Sequence, residues 1–151
     1  MTRKPSVPTE SAEQRALFEW AAIAQGKYTE LRWMHHIPNG GARNAVTGAR
    51  LQAEGVKPGV PDICLPTPRG EFFGLYIEMK RRSGGRVSSA QIDWIAFLLS
   101  QGYCAVECRG FDEARRVIEN YLELPAVRFD PAEQFDRYAK SLAMRGGRKN
   151  D

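Results

Sequence analysis

Three ionisable residues sit inside apolar, strand-like stretches of this chain. Asp62 closes Gly59-Val60-Pro61-Asp62, while Glu78 and Lys80 lie in Tyr76-Ile77-Glu78-Met79-Lys80. An unpaired charge beside a core costs several kcal/mol, so such groups neutralise or find partners. Two carboxylates cannot neutralise each other, but they can share a divalent cation, and oxygen donors favour Mg²⁺ or Mn²⁺. Side chains alternate along a strand, which puts Lys80 on the same sheet face as Glu78. Asp…Glu-x-Lys therefore reads as a metal site with an ammonium beside it.

The surrounding elements must bring these groups together. Lys57-Pro58-Gly59-Val60-Pro61 breaks the chain ahead of a strand over Asp62–Pro66. A turn at Pro68-Arg69-Gly70-Glu71 joins that strand to another over Phe72–Arg81. Leu31–Ile37 reads as an earlier strand, ended by Pro38-Asn39-Gly40-Gly41, a turn able to bend backbone close to a ligand. Ser88-x-x-Gln91 matches a capping box and opens a helix to Gly102; a fourth strand follows over Tyr103–Arg109. Helices are also expected from Thr9 to about Gln25, in Asn44–Glu54, over Asp112–Leu122 and over Pro131–Met144. The order is helix, three strands, helix, strand, helix. It predicts an α/β mixed four-stranded sheet, a three-strand meander joined to its fourth strand by a helical crossover.

The first helix carries Leu17, Trp20, Ala21 and Ala24 as its apolar stripe. Glu10, Glu13 and Gln14 fall at the edges or centre of that stripe, where acids at a positive helix N-terminus are otherwise unremarkable. Basic residues gather in two places. Arg43, Arg50 and Lys57 lie in a Gly- and Ala-rich segment, and Lys80, Arg81, Arg82 and Arg86 surround Gly84-Gly85 as a basic loop. Either group suits a solvated face or a phosphate backbone. His35 and His36 fall on opposite strand faces without the spacing of a metal pair.

At 151 residues with 42% apolar and 26% charged content, the chain has the composition of one globular domain. A net charge of +4 permits a polyanionic partner without requiring one. Cys64, Cys104 and Cys108 form neither an even framework nor a C-x-x-C pair, and buried free thiols suit a reducing compartment. No apolar run has the length of a membrane span and no apolar signal region follows Met1, so a cytoplasmic protein is expected.

Four separated segments, in order, resemble the VRR-NUC (virus-type replication–repair nuclease) domain of the PD-(D/E)xK nucleases, in its stand-alone phage or bacterial form. They are His36-Ile37-Pro38-Asn39-Gly40-Gly41, Gly55-Val56-Lys57-Pro58-Gly59-Val60-Pro61-Asp62, Gly74-Leu75-Tyr76-Ile77-Glu78-Met79-Lys80 and Ser88-Ser89-Ala90-Gln91-Ile92-Asp93-Trp94. The resemblance, over about residues 9–123, implies a restriction-endonuclease-like αβββαβ core in a domain of residues 9–125; composition marks residues 1–8 as a flexible arm and 126–151 as an extra helix and basic tail. It also implies a Mg²⁺-dependent DNA endonuclease, with Mn²⁺ as substitute, selective for branched DNA and acting as a homodimer. Asp62, Glu78 and the Met79 carbonyl would hold metal, and Lys80 would orient the attacking water. Gln91 would join the site, as would a first-helix acid, Glu10 or else Glu13. Asn39, Arg43, Arg81, Arg82 and Arg86 would contact DNA. The competing expectation is a DNA-binding accessory protein with a degenerate site.

Overall fold

A computed structural model describes residues 6–39 and 45–145. Its elements are α1 (Glu10–Ala24), a 3₁₀ turn (Thr29–Trp33), β1 (His35–His36), α2 (Ala45–Ala53), β2 (Ile63–Leu65) and β3 (Leu75–Lys80). They continue with α3 (Ser89–Ser100), β4 (Cys104–Arg109), α4 (Phe111–Leu122) and α5 (Pro131–Arg145). The sheet order is β1-β2-β3-β4, antiparallel across the first two pairs and parallel between β3 and β4. The meander and the crossover through α3 are thus as expected.

β3 divides the domain. Leu75, Ile77 and Met79 point to one face and are buried in the main core with Leu17, Ala21, Ala114 and Ile118 of α1 and α4. Burying each large apolar side chain there contributes about 1.5–3 kcal/mol. Alternation sends Tyr76, Glu78 and Lys80 to the opposite face, so the two charges occupy the sheet's second surface rather than its core. α1 is started by Thr9, whose hydroxyl accepts the Ala12 N–H at 3.1 Å. Glu13, Leu17 and Ala21, four residues apart, form its buried line.

The strand expected over Leu31–Ile37 is replaced by the 3₁₀ turn and a two-residue β1. The buried residues explain this correction. Leu31 and Met34 are both buried, and a 3₁₀ turn eclipses i and i+3, whereas a strand would turn them to opposite faces. His35 and His36 are both exposed.

The β2–β3 hairpin is locked from below by Arg69, a buried guanidinium. It pairs with Glu30 and donates to the carbonyls of Leu122 at 3.3 Å and Pro68 at 3.1 Å. Tyr121 adds an O–H bond to the Thr67 carbonyl at 2.7 Å. These contacts seat both acidic strands on α4. No helix among the described residues is long and apolar enough to cross a membrane.

Candidate active site

Asp62 stands just ahead of β2, and its carboxylate Oδ2 accepts the Met79 N–H at 2.8 Å. The bond ties the first acid to the strand that carries the second. Gly59 makes the approach possible. It has φ +84°, and a Cβ there would lie 2.6 Å from the Ala90 carbonyl carbon, so only glycine lets this loop rest on the start of α3. On α3, Ser88 and Gln91 form a complete capping box: Ser88 Oγ accepts the Gln91 N–H at 3.2 Å, and Gln91 Oε1 accepts the Ser88 N–H at 2.8 Å. The Gln91 amide nitrogen also donates to Glu78 Oε1. Cap and site residue are one side chain.

Glu78 is 2% exposed, and its Oε1 is shared between Gln91 and the Lys80 ammonium, 2.9 Å away. Its Oε2 is buried with no hydrogen-bond partner, the one such side-chain oxygen or nitrogen among the described residues. Burial drives the Glu78 carboxyl up to about 7; the Lys80 hydrogen bond opposes this, and the charges of Asp62 and Glu10 reinforce it. Burial likewise raises Asp62, against the Met79 N–H and the charges of Lys80 and His36. Three acids and one ammonium thus act on each other, with one buried oxygen held open.

Both first-helix acids have defined places. Glu10 Oε1 accepts the Arg81 N–H at 3.4 Å, and its charge acts on Asp62 and Glu78. Glu13 is turned elsewhere. It is 3% exposed, pairs with Arg82 through Oε1–Nε at 2.6 Å and Oε2–Nη2 at 3.3 Å, and accepts the Phe111 N–H at 2.8 Å. The Arg82 hydrogen bond holds its carboxyl below the usual range. Arg82 also pairs with Asp112 at 3.4 Å, so it anchors the basic loop to α1 and α4. Arg109 secures the same loop by donating to the Gly85 carbonyl at 3.2 Å. Arg81 and Arg86 are exposed. Asn39 donates to the Val60 carbonyl, beside Asp62, and Arg43 lies outside the described residues. Sequence reasoning missed the anchoring by Glu13 and Arg109. Its one available signal was an acid aligned with Leu17 and Ala21 at the centre of an apolar stripe.

Oxygen chemistry dominates the donor set. No group of three His, Cys, Asp or Glu side chains among the described residues converges as a closed metal cage. The carboxylates of Asp62 and Glu78 are instead oxygen donors of the kind that hard divalent cations take. The open Glu78 Oε2 fits such an ion.

A mixed sheet presenting Asp, Glu-x-Lys and a glutamine from the crossover helix defines a nuclease of the PD-(D/E)xK type, a class that generally uses divalent metals. The chain belongs to the VRR-NUC domain family, whose profile matches residues 9–112. Among solved structures it is similar to a VRR_NUC domain protein at 30% identity and TM-score 0.70, covering 81% of this chain and 94% of that one. A comparison with functionally curated proteins finds no match.

Proposed function

We propose that this chain is a Mg²⁺-dependent endonuclease that hydrolyses phosphodiesters in branched DNA and works as a homodimer. The observation that carries the reading is Glu78. A buried carboxylate with one oxygen unpartnered, beside Asp62, Lys80 and Gln91, is costly to fold unless an ion completes it. Asp62 and Glu78, with the Met79 carbonyl, are the residues that would hold the ion, and Glu10 would act on them by its charge from the start of α1. A bound Mg²⁺, or Mn²⁺ in its place, supplies Lewis-acid polarisation of the phosphate and lowers the pKa of a water.

The chain's own groups do the rest. Lys80, held at 2.9 Å from Glu78, presents N–H donors where negative charge develops on the phosphate and fixes the attacking water in line. Gln91 holds Glu78 at the register set by the α3 cap. Arg81 and Arg86, both exposed, would meet the flanking phosphates, while Arg82, paired with Glu13, anchors their loop.

One active site per chain suits paired cuts on opposite strands only if two chains combine about a two-fold axis. Two exposed apolar surfaces support that assembly: Ile92 and Leu99, two turns apart on one face of α3, and Phe135, Tyr138 and Leu142 on one face of α5. Cleavage of a labelled four-way junction, a flap and plain duplex tests substrate choice. The expected order places branched DNA well ahead of duplex; equal rates would remove the structure selectivity. Light scattering at twice the chain mass is the expected result for the assembly, and a monomer would exclude it.

A further inference from the structure

A recess of about 370 Å³ opens beside the acidic cluster, lined by Ile37, Asn39, Val56, Lys57, Val60 and Trp94 among others. Chain connectivity fixes its distance from the chemistry. Val60 is two residues before Asp62, and Ile37 donates its N–H to the Asp62 carbonyl at 2.7 Å. Trp94 stands one helical turn after Gln91 on α3, so the two side chains share a face, with Cβ atoms about 5–6 Å apart. The residue that reaches Glu78 and the residue that walls the recess are therefore neighbours.

The Trp94 ring is preorganised. Its Nε1–H donates to the Pro58 carbonyl at 3.1 Å, and Phe97 packs edge-on against it with centroids 6.2 Å apart at 89°. Around this fixed aromatic surface stand the apolar Ile37, Pro38, Val56 and Val60, with Asn39, Lys57 and Glu54, whose carboxylate is paired with Arg50 at 3.5 Å. The Asn39 amide nitrogen donates to the Val60 carbonyl, which fixes the side chain at the recess wall. A volume in the roughly 300–1,000 Å³ range of small-molecule sites, with an aromatic wall and few polar groups, suits a flat heterocycle.

We propose that this recess receives a nucleobase turned out of the DNA stack beside the cleaved phosphate, with Trp94 as the surface on which it stacks. The proposal rests on the nuclease reading and deepens it. Every base has a π-face, so stacking here is tolerant of sequence. Turning a base out is cheap where it is already unpaired and costly within duplex, so the pocket gives selectivity for branches without reading sequence. Lys57 meets the phosphate of the extruded nucleotide.

The test uses a DNA flap, whose single-stranded bases need no unpairing, and Lys80→Ala protein in Mg²⁺, which on the nuclease reading should hold DNA with cleavage suppressed. Abasic sites replace the bases near the cleaved phosphate one at a time, and binding is read by fluorescence anisotropy. One abasic position should weaken binding about tenfold, the scale of a lost aromatic stack. Adding Trp94→Ala should lower affinity for intact DNA to that same level and erase the difference, and Trp94→Phe should restore most of it. Indifference to every abasic position, or a difference that survives Trp94→Ala in a protein with an unchanged circular dichroism spectrum, overturns the pocket. If wild-type protein still cuts the flap in those cases, the nuclease reading stands; protein that neither binds nor cuts DNA overturns both.

Discussion

Gln91 joins two structures with one amide: its oxygen caps α3 by accepting the Ser88 N–H, and its nitrogen donates to Glu78 Oε1. The two jobs separate by mutation. Ser88→Ala removes only the cap and should cost about 0.5–2 kcal/mol of stability with little loss of cleavage. Gln91→Ala should cost a similar amount in urea unfolding but reduce cleavage at least about tenfold, because it also releases a buried carboxylate. Equal cleavage by both variants would confine Gln91 to capping.

Glu78 makes metal binding and stability move oppositely with pH. Its carboxyl stands at about 7 in the fold against an ordinary 4.5, so the folded protein binds more protons than the unfolded chain between those values. The associated stability is complete below the ordinary value and is lost as pH rises through about 7 in metal-free protein. Metal requires the ionised form, so Mn²⁺ affinity should rise about tenfold per pH unit up to that point and then level. Glu78→Gln should flatten the stability profile and abolish the metal-induced rise in Tm. Thermal melts with and without Mn²⁺ across this range check both.

Glu10 and Glu13 should fail in different ways. Glu13→Ala strips Arg82 and the Phe111 N–H of their partner and should cost about 1–3 kcal/mol, with Mn²⁺ affinity kept. Because its carboxyl is held low, the stability it lends is present at neutral pH and lost as pH falls below the usual carboxylate range. Glu10→Gln should leave stability nearly unchanged and weaken Mn²⁺ binding. Calorimetry paired with unfolding separates the two, and the reverse pattern would exchange their roles.

Gly59→Ala places a Cβ against the Ala90 backbone at a φ that L-residues resist. It should destabilise by more than about 2 kcal/mol and depress cleavage further than the stability loss explains, since Asp62 and Gln91 share that contact. A neutral substitution would mean that the loop is held some other way.

The parts of the fold legible in the sequence are those where a local rule and the tertiary demand agree. Ser88-x-x-Gln91 capped a helix as its spacing required, and Tyr76 to Lys80 alternated as a strand must. Leu31 to Met34 reads as strand in the sequence because a short apolar run does not reveal its period; only the core beneath it shows that positions three apart face inward. Asp62, Glu78 and Lys80 stood out as charges in apolar text. Glu13 did not, because an acid in a first helical turn is ordinary until Arg82, far along the chain, is seen to meet it. The Trp94 recess was equally hidden, being assembled from the end of β1, the loop before β2 and the face of α3.

The central claim is that Asp62, Glu78 and Lys80 form a metal-dependent hydrolytic centre. The most direct measurement is nicking of a labelled four-way junction by wild-type and Lys80→Ala protein, purified identically, in Mg²⁺, Mn²⁺ and EDTA, with binding of the same DNA measured alongside. The account predicts cleavage by wild type in either metal, none in EDTA, and loss of about a hundredfold to a thousandfold in Lys80→Ala with DNA binding retained, the scale of one electrostatic donor at the reacting phosphate. Equal cleavage by both proteins, or tight binding by wild type with no cleavage in any metal, would contradict it.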